Sequence, residues 1–326
     1  MEGLYLFYGE ETYLIEDSVK KIKKSFAELV EGINYIKIDE SNIQALISNI
    51  ETPCFGFDKK LIIVKNSGIL KKEGKKKNSY LSTLAEKIAD YISENITTVL
   101  QDNVIIFIED DVEKNKLYKV IEEKGKVCNF TAQKLPDLIK RIKAIASAYK
   151  VKIIDADAKY LVECCGTNLQ NIINEIRKLI EYVGENGTIT KSEIDMLTTK
   201  QIDSVIFDLT DNLGKKNIKS AMEVFYNLVY QKEPVQKILV TLYNHFKKLY
   251  LVKVALNCNE RVEDALKLKP NQAFLVSKYK QQAGYFTIQE LRKILEEFIN
   301  LDYNYKIGLI DINIGIEAIL CRYCGK

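Results

Sequence analysis

Gly9 is the first residue around which chemistry could be built. An apolar run, Leu4 to Tyr8, leads into it. Leu14, Ile15, Val19, Ile22, Phe26 and Leu29 follow at the spacing of one face of an amphipathic helix. Strand, glycine turn and helix introduce a phosphate-binding loop, in which glycines let backbone N–H groups wrap the phosphates and a lysine neutralises their charge. The pattern G-x-x-x-x-G-K-[ST] asks for a second glycine and a lysine. Here Gly9 is followed by Glu10, Glu11 and Thr12. Two carboxylates suit a helix N-terminus but repel a triphosphate. The residues predict a capped βα turn, the alternative being a degenerate nucleotide site that no longer binds ATP.

The other candidates for chemistry are thinner. "VIIFIEDD" (104–111) has the form of a strand whose terminal acids hold Mg²⁺ beside a nucleotide. Acids commonly end strands, and without a phosphate loop the metal has no phosphate to share. "CRYC" (321–324) is a CxxC, yet a structural zinc needs four ligands and no second pair exists. The pattern "IGIEAILCRYC" reads better as a final helix with an apolar face. His245 is the one histidine, so it is the only imidazole available as a general base. No catalytic residue, metal or cofactor is expected.

A third stretch, "ETPCFGFDKKLIIV" (51–64), suggests recognition rather than catalysis. Pro53 breaks the preceding helix. Cys54, Phe55, Gly56 and Phe57 then occupy a short segment before a strand. Aromatics beside proline and glycine can form an exposed plug for a partner's apolar pocket. Alternatively Phe55 and Phe57 cap the core beneath the loop, which is the reading the residues alone favour. The lysines between Lys59 and Lys77 have no interleaved aromatic residues for stacking on bases, so they read as a solvated surface.

These segments must be positioned by a chain of 326 residues, enough for two or three domains with a substantial core. A net charge of +3 is too small to imply nucleic acid by itself. No run is apolar for long enough to span a bilayer, and the basic start and apolar middle of a signal peptide are lacking. The expectation is a soluble, cytoplasmic protein without a membrane partner. Seven cysteines, an odd number at irregular spacing, read as reduced thiols.

The fold class expected is α/β plus all-α. β-rich runs at 4–8, 34–38, 60–66, 103–110 and 127–130 alternate with helical patterns at 13–30, 43–50, 80–93 and 114–123. That alternation predicts a mostly parallel sheet covered on both faces. "KKEGKKKNS" (71–79) should be an exposed loop. The strand signal stops near Pro136, which sits where a helix would start. Short helices joined by small turns follow to about residue 200, the last opened by T-K-S-E at Thr190, a capping-box pattern. Longer helices fill the remainder, with Gly214 a plausible helix stop.

Taken in order along the chain, these pieces resemble the delta subunit of the bacterial DNA polymerase III clamp loader. "LYLFYGEETYLIEDSVKKI" resembles the family's start, where a glycine-acid turn replaces the phosphate loop. "TPCFGFDKKLIIVKN" resembles its segment between the second helix and third strand. "VEKNKLYKVIEEKGKVCNF", "GTNLQNIINEIRKLIEYV" and the long stretch from "VIFDLTDNLG" to "KKLYLVK" resemble its later helix-and-strand step, its lid helix and the start of its collar. The resemblance implies a RecA-like AAA+ α/β domain (1–134), a helical lid (135–200) and a helical collar for oligomerisation (201–326). Gln170 takes the place of the lid arginine that touches nucleotide in active AAA+ proteins, which agrees with an ATP-inert chain. The implied partners are the beta sliding clamp, the tau/gamma and delta prime subunits through the collar, and primer-template DNA in the assembled complex. The implied role is to bind the clamp and open the ring as a non-catalytic subunit of the polymerase III holoenzyme, a nucleotidyltransferase. The implied clamp contact is Pro53, Cys54, Phe55, Gly56 and Phe57. Cys54 stands where the family commonly carries a bulky apolar residue, and Phe57 would compensate. The residues alone leave open an active AAA+ ATPase, a stand-alone DNA-binding protein and a scaffold of the same layout.

Overall fold

The computed structural model describes residues 3–71 and 79–324. The expected exposed loop at 71–79, with the question of whether Lys71 to Lys77 approach DNA, falls mostly outside the described residues. The chain divides into two compact units, residues 1–132 and 133–326.

The first unit alternates strand and helix. β1 (Leu4–Tyr8), α1 (Thr12–Lys23), β2 (Tyr35–Ile38), α2 (Leu46–Glu51) and β3 (Lys60–Lys65) come first. α3 (Ser79–Glu94), α4 (Ile96–Asp102), β4 (Asn103–Glu109), α5 (Lys116–Lys124) and β5 (Lys126–Asn129) complete it. All five strands are parallel, in the order β2-β3-β4-β1-β5. Central strands read as unbroken apolar runs because both faces are buried. Leu4 and Leu6 of β1 join Ile62, Val64, Ile105 and Phe107 under α2, α3, α4 and α5. Tyr5 and Phe7 point the other way, with Leu61, Ile63, Val104 and Ile106, against Ile15 and Val19 of α1. Strand starts lie along one edge of the sheet and strand ends along the other. The Gly9 turn is at the edge of strand ends; the segment leading into Lys60 is at the edge of strand starts.

Two expectations need correction here. The helix after Gly9 was expected to reach residue 30 but stops at Lys23, where the Ser25 hydroxyl donates to the Ile22 carbonyl at 2.6 Å and competes with the next helical bond. Phe26 and Leu29 keep their place against the core from non-helical backbone. Helix α4 was not expected at all; it runs straight into β4 without a glycine or proline between them.

The second unit is mostly helical. It contains α6 (Leu135–Ala148), β6 (Lys152–Ile153), α7 (Asp155–Cys165), α8 (Leu169–Val183), β7 (Thr188–Ile189) and α9 (Lys191–Leu197). Then come α10 (Ile202–Gly214), α11 (Ile218–Tyr230), α12 (Val235–Asn257), α13 (Val262–Leu266), α14 (Leu275–Ala283), α15 (Ile288–Lys306) and α16 (Ile312–Cys324). Strands do continue beyond Pro136: β6 and β7 pair in parallel over two residues each, too short to leave a periodicity in the sequence. Pro136 lies in the first turn of α6, α10 ends at Gly214, and Thr190 and Glu193 form the capping box of α9. The core of α10 to α16 is one apolar cluster that includes Phe225, Phe246, Leu249 and Phe298.

Candidate functional site

The residues from Thr52 to Lys59 form a projecting turn whose root is held by helix capping. A helix leaves its last carbonyls without intrahelical donors, and those of α2 find partners from elsewhere. Thr52 donates to the Ser48 carbonyl from its N–H at 3.0 Å and from its hydroxyl at 2.7 Å. The Lys60 ammonium donates to the Asn49 carbonyl at 2.6 Å and also to the Thr52 carbonyl. Asn103, the first residue of β4, donates weakly to the Ile50 carbonyl at 3.4 Å. Thr52 is extended, with φ −65° and ψ 126°, the conformation that the ring of Pro53 imposes on its predecessor.

Beyond Pro53 the chain reverses. The Phe57 N–H donates to the Cys54 carbonyl at 3.4 Å, and Gly56, at the third position, has φ +80°. A β-turn with positive φ at that position wants glycine. No atom lies within 4 Å of a Cβ placed on Gly56, so its need is conformational rather than steric. Phe55, at the tip, is 77% exposed. The core-capping reading therefore fails for Phe55. It holds partly for Phe57, which is half-buried and lines a cleft of about 600 Å³ with Phe26, Asp58 and Lys59. Pro53 and Gly56 are exposed; Cys54 is half-buried, and burial raises its thiol pKa against the lowering effect of Lys60. The five residues singled out in the sequence are thus one turn, with Phe55 outward and Cys54 and Phe57 toward its base.

At the opposite sheet edge, the Gly9 turn is tied by backbone hydrogen bonds to the ends of β4 and β5 and within itself. Gly9 N–H donates to the Glu109 carbonyl at 3.2 Å, Glu11 N–H to the Phe130 carbonyl at 3.0 Å and Thr12 N–H to the Glu10 carbonyl at 3.1 Å. A phosphate loop needs such groups free. Gly9 has φ +124°, and a Cβ on it would lie 2.4 Å from the Phe130 oxygen. The expected capping is absent: Glu11, at the N-cap of α1, makes no side-chain capping bond. Its backbone, at φ −91° and ψ 76°, departs from the extended form that aims a cap inward.

The acids after β4 do not converge. Glu109 is buried and accepts from the N–H and the hydroxyl of Ser67, at 2.9 and 2.7 Å, pinning the loop after β3. Burial raises its pKa, opposed by the Ser67 bonds. Asp110 and Asp111 are exposed. Among the described residues no group of three or more His, Cys, Asp and Glu side chains could hold a metal ion.

In the second unit the polar clusters are structural ties. His245 is buried, with Nε2 2.8 Å from Gln282 Oε1, and Gln282 Nε2 donates to Phe207 O and Asp211 Oδ1. Burial holds the imidazole down at about 3. Lys200 binds Asp195, Asp208 and the Tyr160 hydroxyl, joining α7, α9 and α10. Burial pushes the Cys164 thiol up to about 11 and the Cys165 thiol up to about 12, leaving both protonated at neutral pH. Gln170, at the start of α8, is exposed and donates to Asn174 at 2.8 Å. Cys321, of the CxxC, is exposed on α16.

Comparison with known proteins adds the family. Residues 5–131 match the family model "DNA polymerase III, delta subunit", and residues 203–323 match "DNA polymerase III delta subunit, C-terminal domain". The chain is 24% identical over 325 residues to DNA polymerase III subunit delta of Bacillus subtilis, covering 98% of this chain and 92% of the relative. It is 26% identical over 323 residues to the probable DNA polymerase III subunit delta of Aquifex aeolicus, covering 95% and 88%. Its fold matches that of the Bacillus subtilis DNA clamp loader delta protein with a TM-score of 0.74 at 24% identity, over 99% of this chain and 96% of that one. No helix among the described residues is long and apolar enough to cross a membrane.

Proposed function

Because this chain belongs to the DNA polymerase III delta subunit family, we propose that it grips the beta sliding clamp with the Phe55 turn and biases the ring toward its open form during DNA replication. Membership itself carries the clamp-loader setting. The observation that supports the contact is the exposure of Phe55 at the tip of a turn whose root is hydrogen-bonded to the sheet. A free phenylalanine on a fixed stem offers a partner an apolar anchor without a large ordering cost.

The same reading gives the chain no catalytic step. The N–H groups of Gly9, Glu11 and Thr12 are already taken by backbone carbonyls, and the turn carries neither the lysine nor the second glycine of the phosphate-loop pattern. ATP would act through neighbouring subunits, and the α/β unit would keep an AAA+ shape without its chemistry. Residues 1–134 would hold the clamp, 135–200 would act as lid, and 201–326 would act as collar toward tau/gamma and delta prime. Primer-template DNA would be met in the assembled complex, in the cytoplasm.

The test is calorimetric binding of the purified chain to the sliding clamp, with and without ATP, beside a Phe55→Ala, Phe57→Ala double variant. ATP-independent binding by the wild type, weakened at least tenfold in the variant, is expected. Wild-type affinity in a folded variant would overturn the assignment of the turn. Absence of binding by the wild type would overturn the clamp reading.

A further inference from the structure

We propose that Lys60 is the positioning residue of the clamp-binding turn: its buried ammonium ties the two ends of the 52–60 segment together and fixes the direction in which Phe55 projects. The proposal rests on the clamp reading of that turn and adds a residue to it.

Lys60 is 2% exposed, an unusual place for a cation with no carboxylate at ion-pair distance among the described residues. Its donors go to the carbonyls of Asn49 and Thr52, one inside the last turn of α2 and one on the residue before Pro53. Carbonyls at a helix C-terminus carry the negative end of the helix dipole and have no intrahelical donor, so an ammonium there meets both needs. The backbone of Lys60 is the first rung of β3, paired beside Asn103 of β4. One side chain therefore connects the entry of the turn to its exit, and both to the sheet. Burial draws the ammonium below the ordinary lysine range, opposed by the Cys54 thiol and the Asp102 carboxylate, so it is held at a desolvation cost. The neighbouring Lys59 is used differently, reaching the Leu100 carbonyl at 3.4 Å near the end of α4. Without Lys60 the carbonyls of Asn49 and Thr52 lose their donor, and the turn gains freedom that binding must remove again.

The experiment combines two readouts on the full chain. The first needs no clamp: the rate of chymotryptic cleavage after Phe55, followed by mass spectrometry. Lys60→Met keeps the apolar stem, removes the donors, and should raise that rate at least fivefold; Lys60→Arg, which keeps donors, should restore much of the protection. The second is a double-mutant cycle for clamp affinity with Lys60→Met and Phe55→Ala. Lys60→Met should weaken binding about tenfold in the wild-type background and less than twofold when Phe55 is already absent. Should Lys60→Met fail to fold, Lys60→Leu, which likewise has no donor, carries the same two comparisons. Cleavage at the wild-type rate, or an equal loss of affinity with and without Phe55, would overturn the proposal. If the wild type does not bind the clamp, the clamp reading falls, while the cleavage rates still decide whether Lys60 fixes the turn.

Discussion

Acidification should weaken the second unit through one side chain, His245. Its imidazole is held at about 3 in the folded chain against an ordinary 6.5, because burial among Phe207, Phe246 and Tyr279 disfavours the charged ring. Lys248 adds to the depression, and the bond to Gln282 opposes it. As pH falls below 6.5 the unfolded chain takes up the proton and the folded chain does not. The stabilisation is therefore complete above that pH and is lost progressively down to about pH 3. Each pH unit in that window carries about 1.4 kcal/mol, so His245 alone should remove about 3 kcal/mol between pH 7 and pH 4. Urea unfolding followed by circular dichroism at pH 7, 5.5 and 4 measures this, with His245→Gln as reference. Glutamine keeps a hydrogen-bonding partner for Gln282 and does not titrate, and the remaining carboxylates change equally in both proteins. The gap between the two proteins should close, and can reverse, as pH falls. A gap that stays constant from pH 7 to pH 4 would refute the reasoning, since the imidazole would then titrate normally.

Three further outcomes follow from the first unit. Phe55→Ala should leave the thermal midpoint within about a degree, because the ring is already in solvent. It should weaken clamp binding by roughly tenfold or more, from the ~1.5–3 kcal/mol of burying a phenylalanine; a variant that lost stability instead would place Phe55 in the core. Gly9→Ala should destabilise the unit by about 2 kcal/mol or more in chemical denaturation, since it brings a Cβ against the Phe130 carbonyl at a positive φ; a neutral substitution would mean that the turn opens readily. Glu109→Ala should cost about 1–3 kcal/mol by stranding the buried Ser67 N–H and hydroxyl, and amide exchange at Ser67 should quicken; unchanged exchange would mean that the Ser67 N–H does not depend on the Glu109 carboxylate.

The parts of the fold legible in the sequence were those where one local rule acts alone. β3 and β4 show as apolar runs because both of their faces are covered, and Thr190, Pro136 and Gly214 mark helix ends through capping chemistry that needs only neighbouring residues. A second capping box, Thr287 with Glu290 at the start of α15, carries the same T-x-x-E signature. Helix α4 was hidden because "ITTVLQD" has β-branched residues and no breaker before β4. The site was half legible. Pro53 to Phe57 stand out by residue type, but their outward direction depends on what occupies the core below them. Lys60 left no signal, because a lysine beside another lysine at a strand start reads as solvated. Only the folding of α2 onto the start of β3 brings the Asn49 and Thr52 carbonyls to it.

The proposed ring opening sets a requirement that one aromatic side chain does not meet. Moving a two-state ring from 1:99 to 99:1 in favour of the open form takes about 5.5 kcal/mol of differential binding. Phe55 supplies about 1.5–3 kcal/mol even if its contact exists only with the open form. The remainder must come from the turn's flanks, where Phe57 is half-exposed, and from keeping ordering costs small. An untethered turn of this length would forfeit much of the gain, since each immobilised flexible side chain costs about 0.5–1.5 kcal/mol on binding. A turn rooted on two sheet strands forfeits less. In the proposed reading, that gives a physical reason for a clamp-binding turn to be carried on an α/β unit. The five-stranded sheet couples the strand starts beneath Phe55 to the strand ends at Gly9 through continuous backbone.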